Sequence, residues 1–385
     1  MKSCMLLLMV MVSISFSACG GGSTADPITY TVGGTVSGLS GTGLVLQNNG
    51  GNNLAVGANG GFAFTTTIAS GGYYNVTVLT HPSSPAQVCV VTSGSGTVHA
   101  NVTSVQVTCS TANEWTWVGG SNIGNQAGTY GTQRTAAPSN IPGARDSAVS
   151  WADAAGDFWL FGGEGYDSTG RGQFLNDLWK YSAGEWTWVG GSNLANQAGT
   201  YGHQGTAAPS NIPGGRFSAV SWADAAGNFW LFGGSGYNLT VPFLQNDLWK
   251  YSAGEWTWMG GSNLGNQPGT YGIQGTAASS NVPGARVFAV SWTDVAGNLW
   301  LFGGDGCDSD FCLGFLNDLW KYSAGEWTWI GGSNLANQKG TYGNRGTAAH
   351  SNIPGARASA VSWTDAAGNF WLFGGFGYDS TGASG

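Results

Sequence analysis

The chain has 385 residues and a formal net charge of −8, only 8 % of it is charged, and Gly supplies 67 residues and Trp 19. Gly and aromatic enrichment with so few Lys and Glu excludes a largely helical protein and fits short strands joined by tight turns. No cluster of Lys and Arg occurs, which excludes a nucleic-acid-binding face, since such faces grip phosphates with grouped cations.

Lys2 precedes an apolar and small-residue run, Met5 to Phe16. The run is too short to span a bilayer and has the length of a signal-peptide core. Phe16-Ser17-Ala18-Cys19 resembles a bacterial lipobox, with Phe16 where that motif usually has Leu. The resemblance implies a signal peptide over 1–18 and a lipidated Cys19 as the first mature residue. Ordinary secretory cleavage after Ala18 is the alternative. Gly20-Gly21-Gly22-Ser23 reads as the start of a flexible tether over 19–29. By the same resemblance, Gly rather than Asp after the Cys implies an outer-membrane lipoprotein, touching the membrane through its lipid alone. With Cys4 removed and Cys19 lipidated, Cys89, Cys109, Cys307 and Cys312 remain. In an exported chain their positions favour two disulfides, Cys89–Cys109 and Cys307–Cys312. None of His81, His99, His203 and His350 stands at ligand spacing from a Cys pair, so no metal and no cofactor is expected.

Residues 30–110 lack Trp and alternate. Tyr74, Val76 and Val78 share one face of an expected strand, as do Val105, Val107 and Cys109. Asn59-Gly60, between Leu54-Ala55-Val56 and Phe62-Ala63-Phe64, carries the signature of a two-residue hairpin. About seven short strands in this length predict a small β-sandwich. Gly34 to Leu39, Asn59 to Phe62 and Tyr74 to Val78 resemble the carboxypeptidase-regulatory or transthyretin-like modules of bacterial surface proteins. That resemblance implies a spacer, or else a binding module.

From 111 onward the chain repeats. Glu-Trp-Thr-Trp begins at Glu114, Glu185, Glu255 and Glu326, and Asn-Asp-Leu-Trp-Lys-Tyr-Ser-Ala-Gly-Glu-Trp-Thr-Trp recurs unchanged at 176–188, 246–258 and 317–329. A fixed period of this length means an array of one supersecondary unit. Within one period Ser147–Trp151 reads as a strand, Ala154–Asp157 as a turn and Phe158–Phe161 as a second strand. A long loop to Leu175 follows, then a third strand over Asp177–Tyr181, a turn, and a fourth strand carrying Trp186 and Trp188 on one face. Four strands joined by short turns make a propeller blade. Trp159 to Gly163, Asn176 to Tyr181 and Trp186, with their copies at 230–256 and 300–327 and a partial copy at 371–375, resemble the kelch repeat. The fold class expected is therefore all-β: a kelch-type β-propeller of about four blades over 111–385, preceded by the sandwich. Kelch blades are commonly shorter, and the excess here precedes each Arg. The repeats stop inside a fourth blade, which reads as a fragment of a longer array, with the spare Glu114–Trp117 as the fourth strand of a last blade.

Blade geometry sends the 2–3 loops and the 4–1 connections to one face. Those segments vary between repeats: 164–175, 235–245 and 305–316 in the loops, and Thr132–Arg134, His203–Gly205, Ile273–Gly275 and Asn344–Gly346 in the connections. Uniform turns on one face and variable ones on the other are what a binding surface presents. Each first strand opens with Arg145, Arg216, Arg286 or Arg357, and each third with Asp177, Asp247 or Asp318. Two readings stand: Arg–Asp pairs tying the connection to the loop, or an Arg ring gripping an anionic ligand. The residue after each Arg differs, and Asp146, Phe217, Val287 and Ala358, with the four Arg, form the candidate binding set. The expected function is a non-catalytic, exported binding scaffold engaging an unknown protein or glycan at the cell surface. The alternatives are a structural envelope protein or an oxidoreductase like galactose oxidase. For the latter, His203 and His350 are the only His in the repeats and lie in different blades.

Overall fold

A computed structural model describes residues 27–111, 117–237, 242–310 and 312–385. The expected signal peptide, Cys19, the tether up to residue 26 and residues 114–116 of the spare fourth strand lie outside the described residues. The chain divides into two compact units that meet between Trp117 and Val118.

The first unit consists of β1 (Thr29–Tyr30), β2 (Val32–Ser37), β3 (Leu44–Asn48), β4 (Asn52–Val56), β5 (Gly60–Ala63), β6 (Ile68–Ala69), β7 (Tyr73–Thr80), β8 (Gln87–Thr92), β9 (Ser95–Thr97) and β10 (Val102–Thr111). Two four-stranded sheets, β5-β2-β10-β8 and β4-β3-β7-β9, form a sandwich. Its core holds Val32, Leu44, Leu46, Val76, Val105 and Val107. Alternation is as read from the sequence: Tyr74 and Val76 are buried between exposed neighbours, as are Val105, Val107 and Cys109. Asn59-Gly60 is not a hairpin turn. β4 pairs with β3 and β5 with β2, so the dipeptide carries the chain from one sheet to the other. Its Asn59 side chain accepts from Leu39 N (2.7 Å) and donates to Leu39 O (2.9 Å). A long-range side-chain bond thus replaces the local strand pairing that the dipeptide signals. Cys89 and Cys109 are register partners in β8 and β10 and form a disulfide.

The second unit repeats one blade. In the first copy β11 (Arg145–Asp146), β12 (Val149–Ala152), β13 (Phe158–Phe161), β14 (Glu164–Tyr166), β15 (Gly172–Phe174), β16 (Leu178–Ser182) and β17 (Glu185–Gly190) make two sheets. The antiparallel order β12-β13-β16-β17 is the expected four-stranded blade. It recurs as Val220–Ala223, Phe229–Phe232, Leu248–Ser252 and Glu255–Gly260, and in a third copy from Val290 to Gly331. Val361–Thr364 and Phe370–Phe373 pair as the first two strands of a fourth. The 2–3 loop differs from expectation. It is a β-hairpin, β14–β15, which pairs with β11 in a sheet of its own. The first strand breaks at Ser147, whose φ is 50°, and the second strand breaks opposite it at Gly162 and Gly163, φ 66° and 98°. A Cβ on Gly163 would meet Asp146 O at 2.6 Å, so only Gly fits there.

The invariant Trp-rich segment packs blades together. Aromatic groups on its third and fourth strands lie on the first two strands of the preceding blade: Trp256 on Phe161 (5.4 Å), Trp327 on Phe232 (5.6 Å) and Tyr322 on Trp230 (5.4 Å). Each such pair adds about 0.5–1.5 kcal/mol beyond its area burial. Near the axis Ser291 Oγ and Thr293 Oγ1 donate to Ser221 O and Ala223 O of the neighbouring first strand. The long connections before Arg145, Arg216 and Arg286 cover the outer edge of the fourth strand. Ala208 bridges Trp256, Gly205 N donates to Trp258 O (2.7 Å) and Asn211 Nδ2 to Trp256 O (3.1 Å). The excess length of the repeat thus blunts an edge that would otherwise offer unpaired backbone groups.

The 1–2 turn is uniform because its Asp is fully engaged. Asp224 Oδ1 accepts from Ala226 N and Asn228 N, and its Oδ2 from Trp230 Nε1 (2.9 Å). Burial works to raise the Asp224 pKa, but these bonds outweigh it and hold the group below its ordinary value. Asp294 behaves likewise, and hydrogen bonds from Asn369 and Trp371 bring Asp365 down to about 2. A carboxylate with a depressed folded-state pKa stabilises the fold above its unfolded value of 3.8, and that contribution is lost as pH falls through the folded value. Thermal midpoints followed by Trp fluorescence are therefore expected to hold from neutral pH to about pH 4 and fall steadily towards about pH 2.

Candidate functional site

The first three repeats build the same buried cluster. Arg216 donates from Nη1 to Asp247 Oδ1 (2.7 Å), from Nη2 to Asp247 Oδ2 (2.8 Å), and from Nη1 and Nε to the carbonyls of Gly233 and Gly214. Tyr201 Oη (2.6 Å) and Trp249 Nε1 (2.7 Å) also donate to Asp247 Oδ2. Arg145–Asp177 with Tyr130 and Arg286–Asp318 with Tyr271 are copies. Burial pulls the Arg216 pKa down, and the Asp247 charge and hydrogen bonds outweigh it, so the guanidinium stays charged. Burial and the adjacent Asp247 push the Tyr201 phenol far up. Of the two readings of these residues, the geometry is that of a structural ion pair. Arg216 and Arg286 are each 1 % exposed, and their donors face protein oxygens. They, with Arg145, leave the binding set for that reason. Arg357 is turned the same way, onto Gly355 O, Gly374 O and Tyr342 Oη. Val287 and Ala358 are buried as well, at 6 % and 4 % exposure. Asp146 remains exposed and Phe217 half-buried.

One position further along, the sequence reading missed the informative residue. Ser147, Ser218, Phe288 and Ser359 are equivalent, and all have left-handed φ between 50° and 56°. Their backbones form a chain around the axis: Ser218 N donates to Ser147 O, Phe288 N to Ser218 O and Ser359 N to Phe288 O. This chain holds adjacent blades together and imposes the conformation. Ser tolerates left-handed backbone better than a bulky side chain does, so a Phe there is an outlier. Phe288 is 38 % exposed. Its ring lies 6.2 Å from Phe217, which lies 5.1 Å from Phe174 on the β14–β15 hairpin. A row of three Phe thus crosses three repeats on the hairpin face, the outer two contributed by a hairpin and by a strained turn. Phe315 and Phe376 form a further pair at 5.3 Å. Carboxylates flank the rings. Asp146 and Glu164 are exposed register partners, and a cleft of about 530 Å³ lies beside them. Asp305, at the position of Glu164, is pushed up by burial despite a hydrogen bond from the Gly314 backbone. The signal that marks Phe288 was present in the comparison of the repeats, two residues after each Arg.

Cys307 is disulfide-bonded and pairs in register with Cys312 at the tip of the third hairpin. The Cys312 side chain lies outside the described residues. His203 and His350 are both exposed, in connections of different repeats. Among the described residues no three His, Cys, Asp or Glu side chains converge as metal ligands would.

No family model matches this chain, and no curated protein matches it. Solved structures that it is similar to include that of YjhT, at 15 % identity over 62 % of this chain and 82 % of that one, with a TM-score of 0.30. A fungal alcohol oxidase of the AA5 family, in complex with copper, aligns at 13 % identity over 62 % of this chain and 50 % of its own, with a TM-score of 0.31. A protein of unknown function from Dyadobacter fermentans aligns at 9 % identity over 50 % of this chain and 52 % of its own, with a TM-score of 0.27.

Proposed function

We propose that the chain is a non-catalytic, exported binding scaffold of kelch type. It engages a protein or glycan on the hairpin face of its blades, and Cys19 tethers it to the outer membrane. The observation that carries this reading is Phe288. An exposed aromatic residue occupies a left-handed backbone position where the three equivalent repeats have Ser. Strain of this kind persists where the surroundings enforce it and clusters at functional sites. The exposed Phe288 beside the half-buried Phe217, with the exposed carboxylates of Asp146 and Glu164 on the neighbouring hairpin sheet, offers an apolar surface with hydrogen-bond acceptors near it, which suits a sugar ring or a peptide side chain. The uniform turns on the opposite face serve the scaffold. The Cys89–Cys109 disulfide suits an oxidising compartment.

Phe288→Ser tests the reading. It restores the residue of the other repeats, which holds the same left-handed backbone at lower cost. The fold is expected to keep or gain stability, since a bulky residue held in left-handed backbone costs about 1–3 kcal/mol. Capture of the partner from cell-envelope extracts is expected to fall at least about tenfold, the loss typical of a central aromatic anchor. Undiminished capture by the variant would exclude the hairpin face as the binding surface.

A further inference from the structure

A second concave surface lies between the second and third blades, away from the Phe row. A cleft of about 470 Å³ opens at the rim beside Met259 and the 3–4 turn of the third blade. A second, of about 390 Å³, runs on towards the 1–2 turns. The two share Met259, Tyr322 and Gly325, so they form one groove with Tyr322 in its wall. Each volume is that of a small-ligand site.

The first cleft has a mainly polar lining and the second a mainly apolar one, and neither is lined by Lys or Arg. A phosphate, sulfate or uronate ligand would find no cation in the lining, and the nearby Lys250 ammonium is engaged over the Trp230 ring. Gln204 and Gln267 are held by their amide nitrogens, which donate to Met259 O (3.1 Å) and Gly265 O (2.8 Å). Each therefore has its Oε1 fixed as an acceptor. Ser262, Thr270 and Ser279 add hydroxyls, and Glu326 a carboxylate. Tyr322 is 8 % exposed, and burial pushes its phenol up, so it stays a neutral donor. Among the described residues its Oη makes no hydrogen bond to the protein, as holds for Tyr181 and Tyr251 at the same place in their blades, and it is not among the buried atoms left unsatisfied. The hydroxyl is therefore open to the groove, where water or a ligand can accept from it. The groove also differs from the equivalent sequence of its neighbours: Ser279 stands where the first two repeats have Pro138 and Pro209, and Met259 where the first has Val189.

A peptide strand would need free backbone edge. The fourth strand beside the groove has its edge taken by the connection, through Gly205 N and Asn211 Nδ2. Recognition therefore falls to side-chain amides, hydroxyls, one phenol and the carboxylates of Asp224 and Glu326, around Met259, Trp230 and Trp327. That set matches a ligand rich in hydroxyls, each both donor and acceptor, and without charge.

We infer that the groove between the second and third blades binds a neutral oligosaccharide, with the Tyr322 phenol donating to it. The site is independent of the hairpin-face reading and can stand or fall without it. Titration calorimetry of the full chain against maltohexaose, cellohexaose, xylohexaose, mannohexaose and chitohexaose tests it. At least one probe is expected to bind. Tyr322→Phe, which keeps the ring, is expected to weaken it about 5- to 10-fold, the worth of one hydrogen bond. Ser279→Trp, which fills the exposed mouth, is expected to abolish binding, and Phe288→Ser to leave it unchanged. No heat from any probe up to about 10 mM, weaker than any useful site, would overturn the inference. So would binding that both groove variants leave intact, binding that Phe288→Ser alone removes, or binding confined to acidic oligosaccharides or peptides.

Discussion

Replacing Arg286 by Met is expected to lower the unfolding free energy of the second unit by about 3–5 kcal/mol, because it strands a buried charge. Asp318 has no side-chain exposure, and Arg286 is its only cationic partner among the described residues. Lys at 286 is expected to recover less than half of the loss. Arg286 bonds both oxygens of Asp318 and two backbone carbonyls at once, and an ammonium has no planar fork with which to do so. The double replacement Arg286→Met with Asp318→Leu is expected to remain destabilised. Tyr271 Oη and Trp320 Nε1 both donate to Asp318 and would be left buried without an acceptor, at about 1–3 kcal/mol each. Urea unfolding followed by Trp fluorescence checks all three variants, because residues 27–111 contain no Trp. A loss below about 1 kcal/mol in the single variant, the range of an exposed pair, would contradict the buried geometry.

Removing the Cys89–Cys109 disulfide with a pair of Ala is expected to cost the sandwich about 3 kcal/mol, the loop-closure value for a loop of this size. The separation is 20 residues, and the bond joins adjacent strands of a small unit that has a limited core to draw on. The loss is expected to be local. Hydrogen exchange in β8 and β10 rises by about two orders of magnitude, the equivalent of that energy, while Trp fluorescence of the second unit keeps its midpoint. Unchanged protection in β10 would show that Val105, Val107 and their neighbours hold the sheet without the cross-link.

The sequence determined the strands of the blade and their order. Alternation and period are local properties written in every copy, and three identical copies left little room for a different register. It also showed that Arg and Asp recur in step, which left both a pairing and a ligand-gripping reading open. The Cys89–Cys109 pairing followed from position in the chain. Tertiary structure decided what depends on distant chain. Asn59-Gly60 has the composition of a hairpin, yet its Asn is bonded to Leu39 and its flanking strands belong to different sheets. The segment 164–175 has no alternation to mark it as strand, and it becomes a hairpin because β11 offers it an edge. The Arg residues look like ligands from their spacing, and only burial against the Asp shows them as struts. Phe288 differs from Ser by one letter in one repeat. Its meaning comes from a chain of backbone bonds between blades that forces left-handed geometry on whatever residue stands there, and no local pattern in the sequence encodes those bonds.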